Sequence, residues 1–184
     1  ALLRGWQAPP EPASIQAKLM EIHTDYESHV HNIYNRKLHS LALSLVWHSA
    51  LGFNFCGREV QRGWLEALAF GDTAQGKSEI VRSLKEFYGL GALVSGENTS
   101  FAGLLIGVDK INNRNVPRLG VFPRNDRGMV IIDEFHGMAP EVVAALSDGR
   151  SSGVARMNKI SQASASARCR KICAHPRLPT ANAM

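Results

Sequence analysis

The stretch GDTAQGKSEIV, Gly71 to Val81, decides how this chain is read. Its first eight residues, Gly71-Asp72-Thr73-Ala74-Gln75-Gly76-Lys77-Ser78, fit the pattern G-x-x-x-x-G-K-[ST] at every position. Glycines in such a loop let the backbone wrap closely, so that successive N–H groups and the next helix's N-terminus point at a β-phosphate. Lys77 then reaches the β- and γ-phosphates, and the Ser78 hydroxyl is placed to hold Mg²⁺. The flanks agree with this reading. WLEALAF (Trp64–Phe70) is almost wholly apolar, as expected of a strand buried on both faces of a parallel sheet. After the loop, Ile80, Val81, Leu84, Phe87 and Tyr88 recur at helical spacing up to Gly89, which can end the helix. Gly71 to Glu79 are therefore the candidate phosphate-binding residues.

A phosphate loop needs an acidic strand end, and the chain supplies one. Met129, Val130, Ile131 and Ile132 lead into Asp133-Glu134, 56 residues after Lys77. Four apolar residues and two carboxylates suit a buried central strand whose tip faces the phosphates. Asp133 is expected to hold Mg²⁺ with Ser78, and Glu134 to orient and deprotonate an attacking water, with Lys77 as its catalytic partner. GALVS (Gly91–Ser95) reads as a further strand. Strands alternating with helices predict an α/β fold, a layered parallel sheet with flanking helices.

Upstream, the prolines of QAPPEPAS (Gln7–Ser14) predict an extended linker, so residues 1–14 read as linker or disordered. Ile15, Leu19, Ile22, Tyr26, Val30 and Ile33 then predict a helix capped by Ser14. Leu38, Leu41, Ala42, Leu45 and Val46 predict the buried face of a second. Downstream of Ser161, Ala and Ser followed by Arg, Lys and Pro read as irregular.

Bulk properties narrow the class. At 184 residues the chain can bury one substantial core. A net charge of +5 allows an anionic partner without demanding one. No apolar run approaches the ~20 residues of a membrane span, and no signal peptide is visible. Three cysteines, Cys56, Cys169 and Cys173, without framework spacing, fit a reduced, cytoplasmic protein. Cys169, Cys173 and His175 crowd three ligand types onto one short segment, unlike the paired ligands of a zinc site, so structural cysteines are expected. His23, His29, His31, His39 and His48 show no consistent ligand spacing and are assigned no chemistry.

Four segments, GDTAQGKS, GENTSFAGL, NDRGMVIIDEFHGM and RSSGVARMNKI, fall in the order seen in the AAA+ core of minichromosome maintenance (MCM) helicases. The chain resembles that family from about Ile33 to Pro176, most closely the MCM-like proteins of bacteria and mobile elements. The resemblance implies a P-loop AAA+ sheet with a helix insert and a pre-sensor-1 hairpin. It implies ATP with Mg²⁺ as ligands, and an ATPase that drives a DNA helicase in replication. Ile33-Tyr34 resembles the family's I-Y-G against the adenine, with Asn35 where glycine is usual. Ser95–Lys110 sits where these helicases break a helix with a loop facing the central channel. GVARMNKI (Gly153–Ile160) resembles the pre-sensor-1 hairpin, which assigns Arg156 and Lys159 to sequence-independent contact with single-stranded DNA.

The chain departs from the family's pattern as well. His136-Gly137 replaces the usual Asp-Lys after D-E-F, His175 stands where the sensor-1 asparagine is expected, and Lys171 interrupts an apolar strand. No arginine finger, last core strand or lid follows, so residues 15–184 read as a truncated or degenerate copy of the nucleotide-binding core, lacking its lid. A homo-hexamer is expected of the complete protein, and a monomer or weak oligomer, with weak turnover, of this chain. Two other readings stand beside the helicase: a chelatase-like or MoxR-like remodeller, and a nucleotide-binding scaffold without catalysis.

Overall fold

The computed structural model describes residues 12–72, 74–157 and 163–176. In chain order the elements are α1 (Pro12–His29), α2 (Lys37–His48), a hairpin of β1 (Phe53–Phe55) and β2 (Arg58–Val60), β3 (Glu66–Gly71) and α3 (Lys77–Tyr88). Next come β4 (Ala92–Ser95), the short α4 (Phe101–Leu104), a hairpin of β5 (Ile106–Ile111) and β6 (Arg114–Leu119), and the short α5 (Val121–Arg124). The chain continues through β7 (Met129–Asp133), α6 (Pro140–Ser152), a hairpin of β8 (Val154–Met157) and β9 (Ala163–Ser166), and β10 (Arg170–Pro176).

The run Met129–Ile132 organises the core because successive residues of a strand face opposite ways. Met129 and Ile131 pack with Leu43, Val46 and Trp47 of α2 and with Ile80, Val81 and Leu84 of α3. Val130 and Ile132 turn to the other side, among Phe122, Met138, Val142, Leu146 and Met157. All four strand residues are at most 1% exposed. Burial of this kind contributes about 1.5–3 kcal/mol per side chain as an upper figure. Four parallel strands in the order β3-β10-β7-β4 result, with a helical layer on each side. This is the α/β P-loop sheet that the sequence predicts. Among the described residues no helix is long and apolar enough to cross a membrane.

Several local expectations are corrected. α1 begins at Pro12, so Pro12 to Ser14 form its first turn and Ser14 is no cap; residues 1–11 of the expected linker lie outside the described residues. Proline is at home there, since the first turn's N–H groups have no intrahelical partner. Ile15 and Leu19 are exposed, and the buried positions of this helix are His23 and Glu27. α2 buries Leu43, Val46 and Trp47, while Leu38 and Leu45 of the expected face are exposed. β3 is an edge strand of the described sheet and is not buried on both faces, since Leu68 and Phe70, which share one face, are about half exposed. The Ala/Ser tail is not irregular either, because β9 and β10 form from it.

Lys171 shows how the central strand tolerates a cation. Its register partner on β3 is Glu66, and Nζ donates to Glu66 Oε1 at 3.1 Å. Arg150 of α6 donates from Nε to Glu66 Oε2 at 2.6 Å. The Lys171 ammonium also lies 5.8 Å from the Trp64 ring centre and 5.5 Å from that of Phe122. Burial pushes the Glu66 carboxyl up, but the Arg150 hydrogen bond and the Lys171 charge outweigh it and hold the group below the usual range.

Candidate functional site at the phosphate loop

Three strand ends and one helix start meet at the loop. β3 delivers Gly71 and α3 begins at Lys77. Gly76 caps that helix at φ +74°, a conformation that glycine adopts without penalty. Ala74 also sits in the left-handed region, at φ +60°, where a Cβ is disfavoured by about 1–2 kcal/mol. Lys77 Nζ donates to the Gly71 carbonyl at 2.9 Å and to that of Asp72, so the ammonium lies within the loop's concavity.

β7 ends beside the helix start. The Ser78 hydroxyl donates to Asp133 Oδ1 at 2.6 Å, and the Glu134 N–H donates to the same oxygen at 3.1 Å. Arg82, one turn beyond Ser78 on α3, places Nη2 3.3 Å from Asp133 Oδ2. A cleft of 280 Å³ opens between these elements, lined by residues 74–79 together with Arg82, Asp133, Glu134 and Ala174. Two hard oxygen donors, a hydroxyl and a carboxylate, thus converge at one point beneath the loop, a donor set that suits Mg²⁺.

The segment between α1 and α2 closes the other side of the loop. Glu27 Oε1 accepts the Arg36 N–H at 2.6 Å, and His31 Nδ1 accepts the Ile33 N–H at 3.2 Å. These bonds hold Ile33 against Gly76, where an added Cβ would come within 2.8 Å of Ile33 Cδ1. Arg36 then donates to Gln75 Oε1 at 2.7 Å. Asn35 stands at φ +60°, a conformation asparagine tolerates better than most residues, so it replaces a glycine there at low cost. Tyr34 is largely exposed.

The structure brings together residues 71, 72 and 74–79, Ile33, Asp133 and Glu134. Thr73 and Lys159 lie outside the described residues. The His175 backbone pairs with Phe70, directly before Gly71, so the tip of β10 reaches the loop. Arg156 sits apart from the cleft on β8, exposed and opposite Ser164. The insert is longer than Ser95–Lys110: a helical turn, α4, leads into a hairpin that continues to Leu119 before the second turn, α5. Its outer half is exposed and carries Lys110 and Arg114, with Arg118 exposed nearer the base. Cys169 and Cys173 are packed into the protein, and burial pushes their thiols up to about 12 and about 11.

Sequence reasoning passed over Arg36, Arg82 and Glu97, and noted His136 only as a departure from the family's pattern. Arg82 had a signal, since a residue four after Ser78 shares its helix face. Among the described residues, one group could hold a metal ion by ligand proximity: Glu97, Glu134 and His136.

Comparison with known proteins agrees with the geometry. Residues 17–178 match the family described as the MCM P-loop domain. The chain is similar to Probable DNA helicase MCM8 of Oryza sativa subsp. indica, with 29% identity over 65% of this chain and 17% of that protein. It therefore spans about a sixth of that relative's length. The family match takes in both the phosphate loop and the strand ending at Asp133, and the chain belongs to the MCM P-loop domain family.

Proposed function

We propose that this chain is the ATP-binding and ATP-hydrolysing core of an MCM-like DNA helicase. The observation that carries the reading is the meeting of Ser78 and Asp133 at 2.6 Å beneath the loop, with Glu134 on the same wall of the cleft. Loop N–H groups and Lys77 would hold the β- and γ-phosphates, and Ile33 and Tyr34 would lie against the adenine. Ser78 and Asp133 would hold Mg²⁺, which neutralises charge building on the phosphate oxygens. Glu134 would take the proton of the attacking water as its oxygen bonds to the γ-phosphorus and ADP leaves. The tip of β10 at His175 would stand beside that water.

The DNA part of the proposal rests on exposed basic side chains of two hairpins. Arg156 on β8, with Lys159 beyond it, and the β5–β6 hairpin would contact the backbone of one strand by charge, without reading bases. Hydrolysis would be fastest in a homo-hexameric ring, where a neighbour supplies an arginine finger worth ~10³–10⁵ in rate.

Calorimetry with ATP·Mg²⁺ tests the site. Lys77→Ala is expected to abolish binding, because it removes the cation nearest the β/γ-phosphates. Glu134→Gln is expected to bind normally and to lose turnover. Equal ATP affinity in wild type and Lys77→Ala would refute the nucleotide site. Arg156→Ala with Lys159→Ala is expected to weaken single-strand binding in a salt series and flatten its slope by ~0.7 per lost contact.

A further inference from the structure

The turns that leave β4 and β7 press against each other beside the phosphate cleft. Gly96 donates its N–H to the Asp133 carbonyl at 2.7 Å. A Cβ on Gly96 would collide with the Glu134 carbonyl, and one on Gly137 would collide with the Glu97 side chain. Both glycines are thus required by close approach at the crossing of the two turns. The crossing gathers three side chains: Glu97 from one turn, Glu134 and His136 from the other. His136 Nδ1 lies 3.3 Å from Glu134 Oε2, and its Nε2 lies 3.8 Å from Glu97 Oε1. Glu134 itself is at φ +51° and lines the cleft.

We propose that His136 is a positioning residue for ATP hydrolysis, its imidazole holding the Glu134 carboxylate at the cleft wall while Glu97 flanks the ring's other nitrogen. The inference rests on the ATPase reading, which gives Glu134 its water-activating role. A half-exposed glutamate samples many rotamers, and few of them face a water at a γ-phosphate. Closing the 3.3 Å approach of Nδ1–H into a hydrogen bond would narrow that set before the water arrives, which is how a supporting residue raises a rate without touching substrate. No bond is made or broken at His136: the water's proton passes to Glu134 and the ring keeps its own. The same geometry explains the departure His136-Gly137. An aspartate at 136 would set a second carboxylate beside Glu134, and any side chain at 137 would push Glu97 away.

The test is single-turnover hydrolysis with the chain in excess over ATP·Mg²⁺, run beside the affinity of a fluorescent ATP analogue. His136→Ala is expected to lower the hydrolysis rate about 10- to 100-fold, the range seen when supporting residues of a site are removed. Nucleotide affinity is expected to stay within about twofold of wild type, since the ring does not line the phosphate loop. Added imidazole should restore part of the rate in His136→Ala and leave Glu134→Gln inactive. Glu97→Gln should give a smaller loss of the same kind. Ring ¹⁵N–¹H resonances of His136 give a readout that needs no turnover, and should move in both Glu97→Gln and Glu134→Gln. Wild-type rates in His136→Ala, a loss that imidazole does not relieve, or ring resonances indifferent to Glu134→Gln would each overturn the proposal. If Lys77→Ala binds ATP as wild type does, the nucleotide reading itself has failed. If Lys77→Ala loses binding while His136→Ala hydrolyses normally, only this inference falls.

Discussion

Replacing Lys171 by Ala removes the ammonium from a carboxylate that cannot be rehydrated easily. The Glu66 side chain is 14% exposed and that of Lys171 is 5% exposed, so neither end of the pair is shielded by bulk water. Arg150 remains on Glu66, but its side chain is half exposed and water discounts its contribution. Stranding one partner of a buried pair is expected to destabilise a protein by about 3–5 kcal/mol. The surviving Arg150 contact places this case at the lower end, near 3 kcal/mol. For a chain of this size 1 kcal/mol corresponds to roughly 2–4 °C, so the melting temperature should fall by about 6–12 °C. Replacing both partners, Glu66→Leu with Lys171→Met, removes the stranded charge along with the pair, and should recover all but about 1 kcal/mol of the loss. Urea unfolding followed by tryptophan fluorescence is the assay, since Trp64 lies 5.8 Å from the Lys171 ammonium and reports on this region. If the double variant is as unstable as Lys171→Ala, the destabilisation comes from lost packing and the argument from charge is refuted.

Other predictions concern the loop and the pH response. Ala74→Gly should stabilise the protein by about 1 kcal/mol, because glycine occupies φ +60° without the Cβ penalty; an unchanged or lower melting temperature would contradict this. Gly76→Ala should do the opposite, destabilising by about 2 kcal/mol and weakening ATP binding at least tenfold, as strain at φ +74° adds to the contact with Ile33; calorimetry and a thermal melt decide it. Burial lowers the histidines His23, His31 and His39 below their ordinary 6.5, with nearby His31 acting on His23, and Arg36 and Lys77 acting on His39. The unfolded chain therefore binds more protons than the folded one as pH falls through 6.5, and stability should decline from there downward. His31→Gln should make the melting temperature less steep between pH 7 and 5.

How much was legible follows from which forces are local. Met129–Asp133 was readable because a run buried on both faces needs no partner to be recognised, and the phosphate loop was readable because its backbone demands are written in glycines. The helix α2 was readable but its buried face was misread, because Leu38, Leu41, Leu43, Leu45 and Val46 surround the helix, and only the position of β7 and α3 selects Leu43, Val46 and Trp47. β3 was misjudged because apolar content does not reveal whether a strand lies at an edge. β9 was missed because backbone pairing with β8 builds it, not side-chain propensity. Glu97 was beyond reach altogether: it meets His136 only where two turns cross, 39 residues apart in sequence.

The departures from the family's pattern bear on whether the core is a working one or a decayed one. A decayed copy would gather substitutions without regard to their neighbours, leaving stranded charges and collisions. Lys171 interrupts an apolar strand, yet Glu66 stands opposite it in register. Asn35 replaces glycine at φ +60°, where asparagine is among the residues that fit. Gly137 vacates the space that Glu97 fills, and His136 sits within reach of both Glu97 and Glu134. Asn35 fits by its own backbone conformation, while Lys171 and the His136-Gly137 pair each meet a glutamate from another element, and a partner drawn from elsewhere in the chain is what a fold holding its site in place requires. The unpaired case would be visible as a loss of stability, so the melting temperatures of Lys171→Ala and of Gly137→Lys measure the same point. Both should fall well below wild type, the second because a side chain at 137 must displace Glu97. If Gly137→Lys melts as wild type does, the crossing of the two turns is loose and the match between Gly137 and Glu97 carries no weight.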